Sequence, residues 1–466
     1  MLKLFGLFSI LLIFTTFLEA KSFENFKKRE VHTFTQYTNV NDLEFSSYLK
    51  REWLGYSQNK ILKFYKETKP NFITPALQTY MKPVGPILNI KIPKDKNTTK
   101  KIPYEPINGS LMLNFFGTKL GFNIPAIKNY VFYPKSKDGV SIFFRNIATS
   151  QYYDLVDSIK KTSKELNLND WAKYLLIKKI TSKIYGDKDR ANLLAWFIFN
   201  KLGYDIKIGL HEKHAILMFH LKQKLYQTSS YTITKKKYYV LENYLQGKLG
   251  LVYTYKKNYP SAKKVFDFSL KTLPLFTKNI ASKTITFYED SKKYEIPYIY
   301  NKNLINFLNT YPQVDTKIYL QTPIPYKSYK KIAFALKRFT REKKASDALN
   351  FILHFVQKAF IYETDEKQFK RQKMMFAQQT LYFKKSDSED RVALFNYLIK
   401  NLYGISVVSV KYSDYMMSGL YIPIQGANVK LGRKKFILAD PTCIDSNLGQ
   451  IMTKYKGVKP LEIVKD

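Results

Sequence analysis

Apolar residues recur at helical spacing in several stretches of the chain. Over 42–66, Phe45, Leu49, Trp53 and Tyr56 fall on one face, which predicts a helix. Over 169–184, Trp171, Tyr174, Leu175 and Ile180 form the stripe, and Asn169-Asp170 offers a cap. Helical spacing also runs over 150–166 and again from 344, through "ASDALNFILHFVQKAFIY". The segment "SLMLNFFGTKLGFNI" (110–124) reads instead as two short strands. Its Gly117-Thr118 pair, glycine first, suits a type II′ hairpin turn. Residues 250–325 are rich in Tyr, Thr and Lys, and pattern does not separate their strands from helical turns. Five prolines around a charged centre make 83–106 an extended linker.

The most informative pattern is internal. "GDKDRANLLAWFIFNKLGYDIKIGLHEKH" (186–214) aligns without a gap on "DSEDRVALFNYLIKNLYGISVVSVKYSDY" (387–415), at an offset of 201. Asp189/Asp390, Arg190/Arg391, Leu193/Leu394, Ile198/Ile399, Asn200/Asn401 and Gly203/Gly404 are identical. Both stretches read as acidic turn, helix, glycine stop and strand. A further strand corresponds downstream, "YYVLE" (238–242) with "FILAD" (436–440). Shared hydrophobic positions alone arise by chance between two helices. A shared turn, stop and strand order points to duplication.

Helix, strand, strand, with a polar residue at the start of each, is the layout that a cysteine–histidine–acid site requires. The nucleophile sits at a helix N-terminus, where free N–H groups and the dipole favour a thiolate. The base projects from the first strand, and an acid on the neighbouring strand orients it. Several stretches carry a more specific likeness: "YETDEKQF" (362–369), "SDSEDR" (386–391), "YSDY" (412–415) and "ADPTC" (439–443), with "LNLNDWAKYLL" (166–176) and "NFFGT" (114–118) upstream. On these the chain resembles the transglutaminase-like, papain-related superfamily, and within it a group of bacterial envelope proteins. The resemblance covers roughly 105–466 and is densest over 350–455.

That resemblance implies an α+β fold made of two papain-like/transglutaminase-like copies, with an N-terminal helical segment and a small β element. The organisation expected is 1–20 as a signal peptide and 21–106 as the helical segment and linker. The first copy with its preceding hairpin would span 107–255, a connecting mixed segment 256–330 and the second copy 331–466. In the second copy Ser388 stands at the cysteine position, Tyr415 at the histidine position and Asp440 at the acid position. In the first, Asp187, His214 and Glu242 take those places. Cys443 sits where the group usually has a tyrosine, and reads as a small buried thiol.

These departures weigh against catalysis. A serine hydroxyl needs a base within hydrogen-bond reach, and tyrosine, with a pKa of about 10, is a poor one near neutrality. Asp187 cannot attack an acyl group usefully, although His214 and Glu242 could pair as base and orienting acid. A composite site with His214 activating Ser388 is a further arrangement. Gln378 and Gln379 are candidate remnants of an oxyanion hole, and Asp390-Arg391 reads as an ion pair or cap at the helix start. His211, His214 and His220 read as strand and edge histidines, with 211 facing away from 214 and 220. Neither a metal nor another cofactor is expected.

Composition adds location and partners. Residues 1–20 ("MLKLFGLFSILLIFTTFLEA") have the basic start, apolar core and terminal small residue of a secretory signal, which implies export to the periplasm. An uncleaved anchor fits less well, because the apolar run is short for a bilayer. A single cysteine excludes an internal disulfide. The net charge of +40 allows an anionic envelope partner such as peptidoglycan. Its lysines are scattered along the chain, which argues against nucleic acid. Residues 95–99 (Asp-Lys-Asn-Thr-Thr) match an acid-extended glycosylation sequon at Asn97. The function expected is an exported, inactive transglutaminase-like protein that binds a peptide, a protein partner or an anionic polymer. The alternative is an active acyl-transfer hydrolase or protease using Ser388 or another nucleophile.

Overall fold

The structure is a computed structural model that describes residues 40–64, 82–90, 92 and 109–465. The expected signal at 1–20, the sequon and most of the linker lie outside the described residues. The architecture is α+β.

In the N-terminal half, helix α1 (40–49) is followed by β1 (Leu54–Tyr56), β2 (Leu111–Phe115) and β3 (Thr118–Phe122). Four helices follow: α2 (Lys137–Ala148), α3 (Tyr153–Glu165), α4 (Asp170–Ile184) and α5 (Lys188–Lys201). Then come β4 (Ile206–His211), β5 (His214–His220), β6 (Ser230–Ile233), β7 (Lys236–Tyr239) and β8 (Val252–Thr254). The C-terminal half opens on a long hairpin, β9 (Ile280–Glu289) and β10 (Lys292–Asn301). Helices α6 (Lys302–Asn309), α7 (Thr316–Gln321), α8 (Tyr326–Thr340) and α9 (Ala345–Lys358) lead to a short parallel pair. That pair is β11 (Ile361–Tyr362) with β12 (Lys385–Ser386), and α10 (Asp365–Phe369) and α11 (Ala377–Tyr382) lie between them in sequence. The chain closes with α12 (Ser388–Tyr403), β13 (Val407–Lys411), β14 (Met416–Leu420), β15 (Asn428–Leu431), β16 (Lys434–Ala439) and β17 (Glu462–Lys465).

Two antiparallel sheets share a strand order. One runs β1-β8-β4-β5-β7-β6 and the other β15-β16-β14-β13-β17. From the strand after the long helix, each reads first, second, fourth, third; an extra strand flanks the first. Helix α5 packs on β4 and β5, and α12 packs on β13 and β14. Alternation in the strands drives this. Ile206, Ile208, Leu217 and Phe219 join the helix-side core, whereas Ile216 and Met218 join a small apolar cluster on the far face. In the second sheet, Val407 faces the helices while Val408, Val410 and Met417 face a corresponding far-side cluster. Both helices end at a left-handed glycine, Gly203 (φ 81°) just past α5 and Gly404 (φ 70°) at the cap of α12. Among the described residues no helix is long and apolar enough to cross a membrane.

Some expectations need correction. The helix over 42–66 stops at 49, because Trp53 folds back and donates its indole N–H to Leu49 O at 2.9 Å. The chain then extends into β1, which pairs with β8. The first hairpin turns one residue earlier than the type II′ reading, at Phe116-Gly117. Both residues have positive φ (48° and 79°), the signature of a type I′ turn. Residues 238–242 are strand only as far as Tyr239, and Glu242 sits on a single 3₁₀ turn, Leu241–Asn243. The helices expected over 150–166 and 169–184 form as α3 and α4, with the Asn169 side chain accepting from Ala172 N–H at 3.1 Å as the cap.

Candidate functional site

The two stretches "YETDEKQF" and "SDSEDR" meet in space. The parallel pair of β11 with β12 brings them together, and Asp387 caps α12 by accepting from Asp390 N–H at 3.3 Å. Ser388 is therefore the first residue of α12, and it is fully buried. Its Oγ accepts from Met416 N–H at 3.3 Å, at the start of β14. Tyr415 precedes that strand, is equally buried, and donates its hydroxyl to Asp440 Oδ1 at 2.8 Å. The same oxygen accepts from the Thr442 and Cys443 N–H groups at 3.0 and 3.1 Å. Asp440 Oδ2 has no hydrogen-bond partner among the described residues. Burial pushes the Asp440 carboxyl up, against the pull of its three donors, and it drives the Tyr415 hydroxyl well above its ordinary range. The Tyr415 ring also stacks on Tyr455, with centroids 5.0 Å apart at 16°. The three positions expected in the C-terminal half thus lie together, but as a packed core.

Other candidates here have structural duties. Burial pushes the Cys443 thiol up to about 12, so it is a poor source of thiolate. Gln379 accepts from Phe376 N–H at 3.1 Å and donates to Asn309 Oδ1 at 2.7 Å, which makes it a helix cap. Gln378 is buried. Asp390 is part of the expected cap and also accepts from Met375 N–H at 2.6 Å. Arg391 does not point to Asp390. Its buried guanidinium donates to Ser386 Oγ (3.0 Å), Gln357 O (3.1 Å) and Phe360 O (2.7 Å), holding the C-terminal end of α9.

The expected positions in the N-terminal half are arranged differently. Asp187 is the N-cap of α5, accepting from Arg190 N–H at 2.9 Å and ion-paired to the Arg190 side chain. It does not face the second strand. Asp189 does. Its Oδ1 accepts from Ala215 N–H at 3.0 Å, and both its oxygens lie 3.3 Å from His214 Nδ1. Lys135 Nζ completes the environment, 3.1 Å from Asp189 Oδ2. His214 pairs with Asp189 and not with Glu242, whose partners are Lys178, Lys188 (3.5 Å) and Asn192 Nδ2 (3.1 Å). Glu242 and His214 nonetheless line one cavity of about 290 Å³, together with Asp189, Lys188 and His211. Its apolar wall is Ile216, Val240 and Leu249. The His214 side chain is 67% exposed, where Tyr415, just before β14, is 0% exposed.

His211 also belongs to this opening. It lies on β4 directly across the turn from His214 on β5, so the two share a face; the opposite-face reading assumed one continuous strand. His220 is held apart, with Nδ1 3.0 Å from Asp205. Ser388 and His214 keep separate partners, so no composite site forms.

Comparison with protein-family models, curated proteins and solved structures finds no match for this chain.

One cluster went unread in the sequence. Asp365, Asp387 and Glu389 are buried with ligand-type oxygens within 4.8 Å of one another. Cations are buried with them. The Lys373 ammonium is lowered to about 8, chiefly by burial and then by the like charge of Arg371, while Asp390 and Asp365 pull it back up. Burial lowers Lys411 against the opposing pull of Glu389, and lowers Arg391 against that of Asp387 and Asp390. The arrangement is an internal charge network beneath the start of α12. Its signal lay in the two acidic stretches already quoted, but only the fold reveals the lysines between them.

Proposed function

We propose that the chain is an exported, non-catalytic binding protein built from two transglutaminase-like units. In this reading the second unit has closed its site with its own side chains, and the first keeps a cleft open for a short peptide segment. The shared strand order of the two sheets, each with a capped helix on one face, supports descent from one duplicated unit. The basic and apolar start of residues 1–20 supports export.

One observation carries the non-catalytic reading. The Tyr415 hydroxyl donates to Asp440, filling the position from which a histidine would serve Ser388, and all three residues are buried. Ser388 Oγ accepts from a backbone N–H, and a tyrosine held far above its ordinary pKa supplies no base. Cys443 offers no replacement nucleophile.

The open cavity suits a peptide. Carboxylates, an ammonium and two imidazoles stand around an apolar wall, matching the alternation of amide, charged terminus and side chain along a peptide. A volume of about 290 Å³ accommodates one or two residues. The test is a screen of short peptides against the full chain by ligand-observed NMR. Binders are expected, with affinity at least fivefold weaker in His214→Ala and unchanged in Ser388→Ala. Binders lost only in Ser388→Ala would overturn the assignment of the cleft.

A further inference from the structure

A second and larger opening lies away from this cleft. A groove of about 740 Å³ is formed by the C-terminal end of α3, the N-terminal end of α4 and the 264–272 segment. Sixteen residues line it, and six are lysines: Lys160, Lys164, Lys173, Lys201, Lys264 and Lys271. Lysine and arginine together supply 77 of the 466 residues, about one in six, so six in sixteen is a concentration beyond the chain's general basicity.

Carboxylates engage four of these lysines and leave Lys164 and Lys271. Asp170 and Asp267 are its two acids, and both are already engaged. Asp170 accepts from Tyr204 Oη (2.6 Å), Lys264 Nζ (3.0 Å), Lys173 Nζ (3.3 Å) and Asp267 N–H (3.0 Å). Asp267 is held by Lys222 Nζ (3.0 Å), Gln223 Nε2 (2.7 Å) and Ser269 N–H (2.8 Å). Lys201 is buried against Asp42, and Lys160 makes only an exposed pair with Asp157 at 3.1 Å. Lys164 and Lys271 are exposed and have no side-chain partner among the described residues. A further donor is unused: Ser163 lines the groove, is 6% exposed, and its Oγ has no hydrogen-bond partner among the described residues. An unpartnered buried hydroxyl carries a cost that a ligand oxygen would remove.

We propose that this groove binds a ligand carrying two or more phosphate groups. The cations are ammonium groups on flexible stems, and no arginine is among them. Point charges of this kind serve phosphate groups, whose oxygens accept from several directions without a fixed plane, and several ammonium groups together match an ion that carries several negative charges. The groove does not depend on the peptide cleft, because the two share no lining residue.

The test is isothermal titration of the full chain with inorganic tripolyphosphate at 50 mM salt, alongside the tricarboxylate citrate. Lys164→Gln/Lys271→Gln is the groove variant. Lys331→Gln/Lys337→Gln, on the exposed face of α8, removes the same charge elsewhere. Saturable one-to-one binding of tripolyphosphate is expected, at least tenfold weaker in the groove variant and less than twofold weaker in the control, with citrate binding more weakly. Equal loss in both variants would make the binding a property of net charge and overturn the site. Citrate binding as tightly as tripolyphosphate would overturn the phosphate class, and no saturable binding would overturn both.

Discussion

At Tyr415 one side chain ties together the packing around Asp440 and Tyr455. A histidine there would leave a base beside Ser388. The tyrosine instead sends its hydroxyl to Asp440 Oδ1 and lays its ring on Tyr455, so the position is spent on stability. Tyr415→Phe keeps the ring and removes the donor, leaving a buried acid with fewer partners. It is expected to cost about 1–3 kcal/mol, read as a lower midpoint in urea unfolding. The identities at Ser388, Tyr415 and Asp440 were legible in the sequence, and the structure brings all three together. Asp189 was not. A gapless alignment set Asp187 against Ser388, yet Asp187 and Asp387 are the caps of their helices, one residue out of that register. One residue turns a helix by about 100°, which swings Asp187 outward and leaves Asp189 facing His214.

Among elements, the hairpin β9–β10 shows where pattern reading failed. It is the longest pairing described in the chain, yet along β9 only Ile285 and Phe287 are buried, and along β10 only Ile296 and Tyr298. With so few inward positions among Lys, Tyr and Thr, period two is barely visible. Helices α3, α4 and α9 were legible because their apolar stripes face continuous core. The hairpin is fastened to α9 by Glu289, which accepts from His354 Nδ1 at 2.6 Å and Lys358 Nζ at 2.6 Å. Burial opposes ionisation of Glu289, but these two partners outweigh it and hold the carboxyl at about 2. A carboxyl depressed in the folded state stabilises above its unfolded pKa, and that contribution is lost as pH falls through the folded value. Glu289→Gln is therefore expected to be less stable than the parent by about 1–3 kcal/mol at pH 6. The gap should narrow between pH 4.5 and 2 as the parent's own carboxyl is protonated. Urea midpoints of both proteins across that range check this. A gap independent of pH would mean that Glu289 acts through packing alone.

Across the whole molecule, two sheets of matching order lie in two different surroundings. Beyond the second sheet, Cys443, Met452 and Tyr455 pack over Tyr415 and shut the far face. Beyond the first, the chain around Gln246 and Leu249 borders a cavity, and His214 stays exposed at its mouth. A composition of +40 and scattered lysines concealed any concentration of charge, because the six groove lysines come from four separate stretches that only the fold assembles. In the proposed function Ser388 is a buried structural residue and not a nucleophile. Incubating the full chain with a serine-directed fluorophosphonate and measuring intact mass tests it most directly. The mass is predicted to stay unchanged; a stoichiometric adduct that disappears in Ser388→Ala would contradict the account.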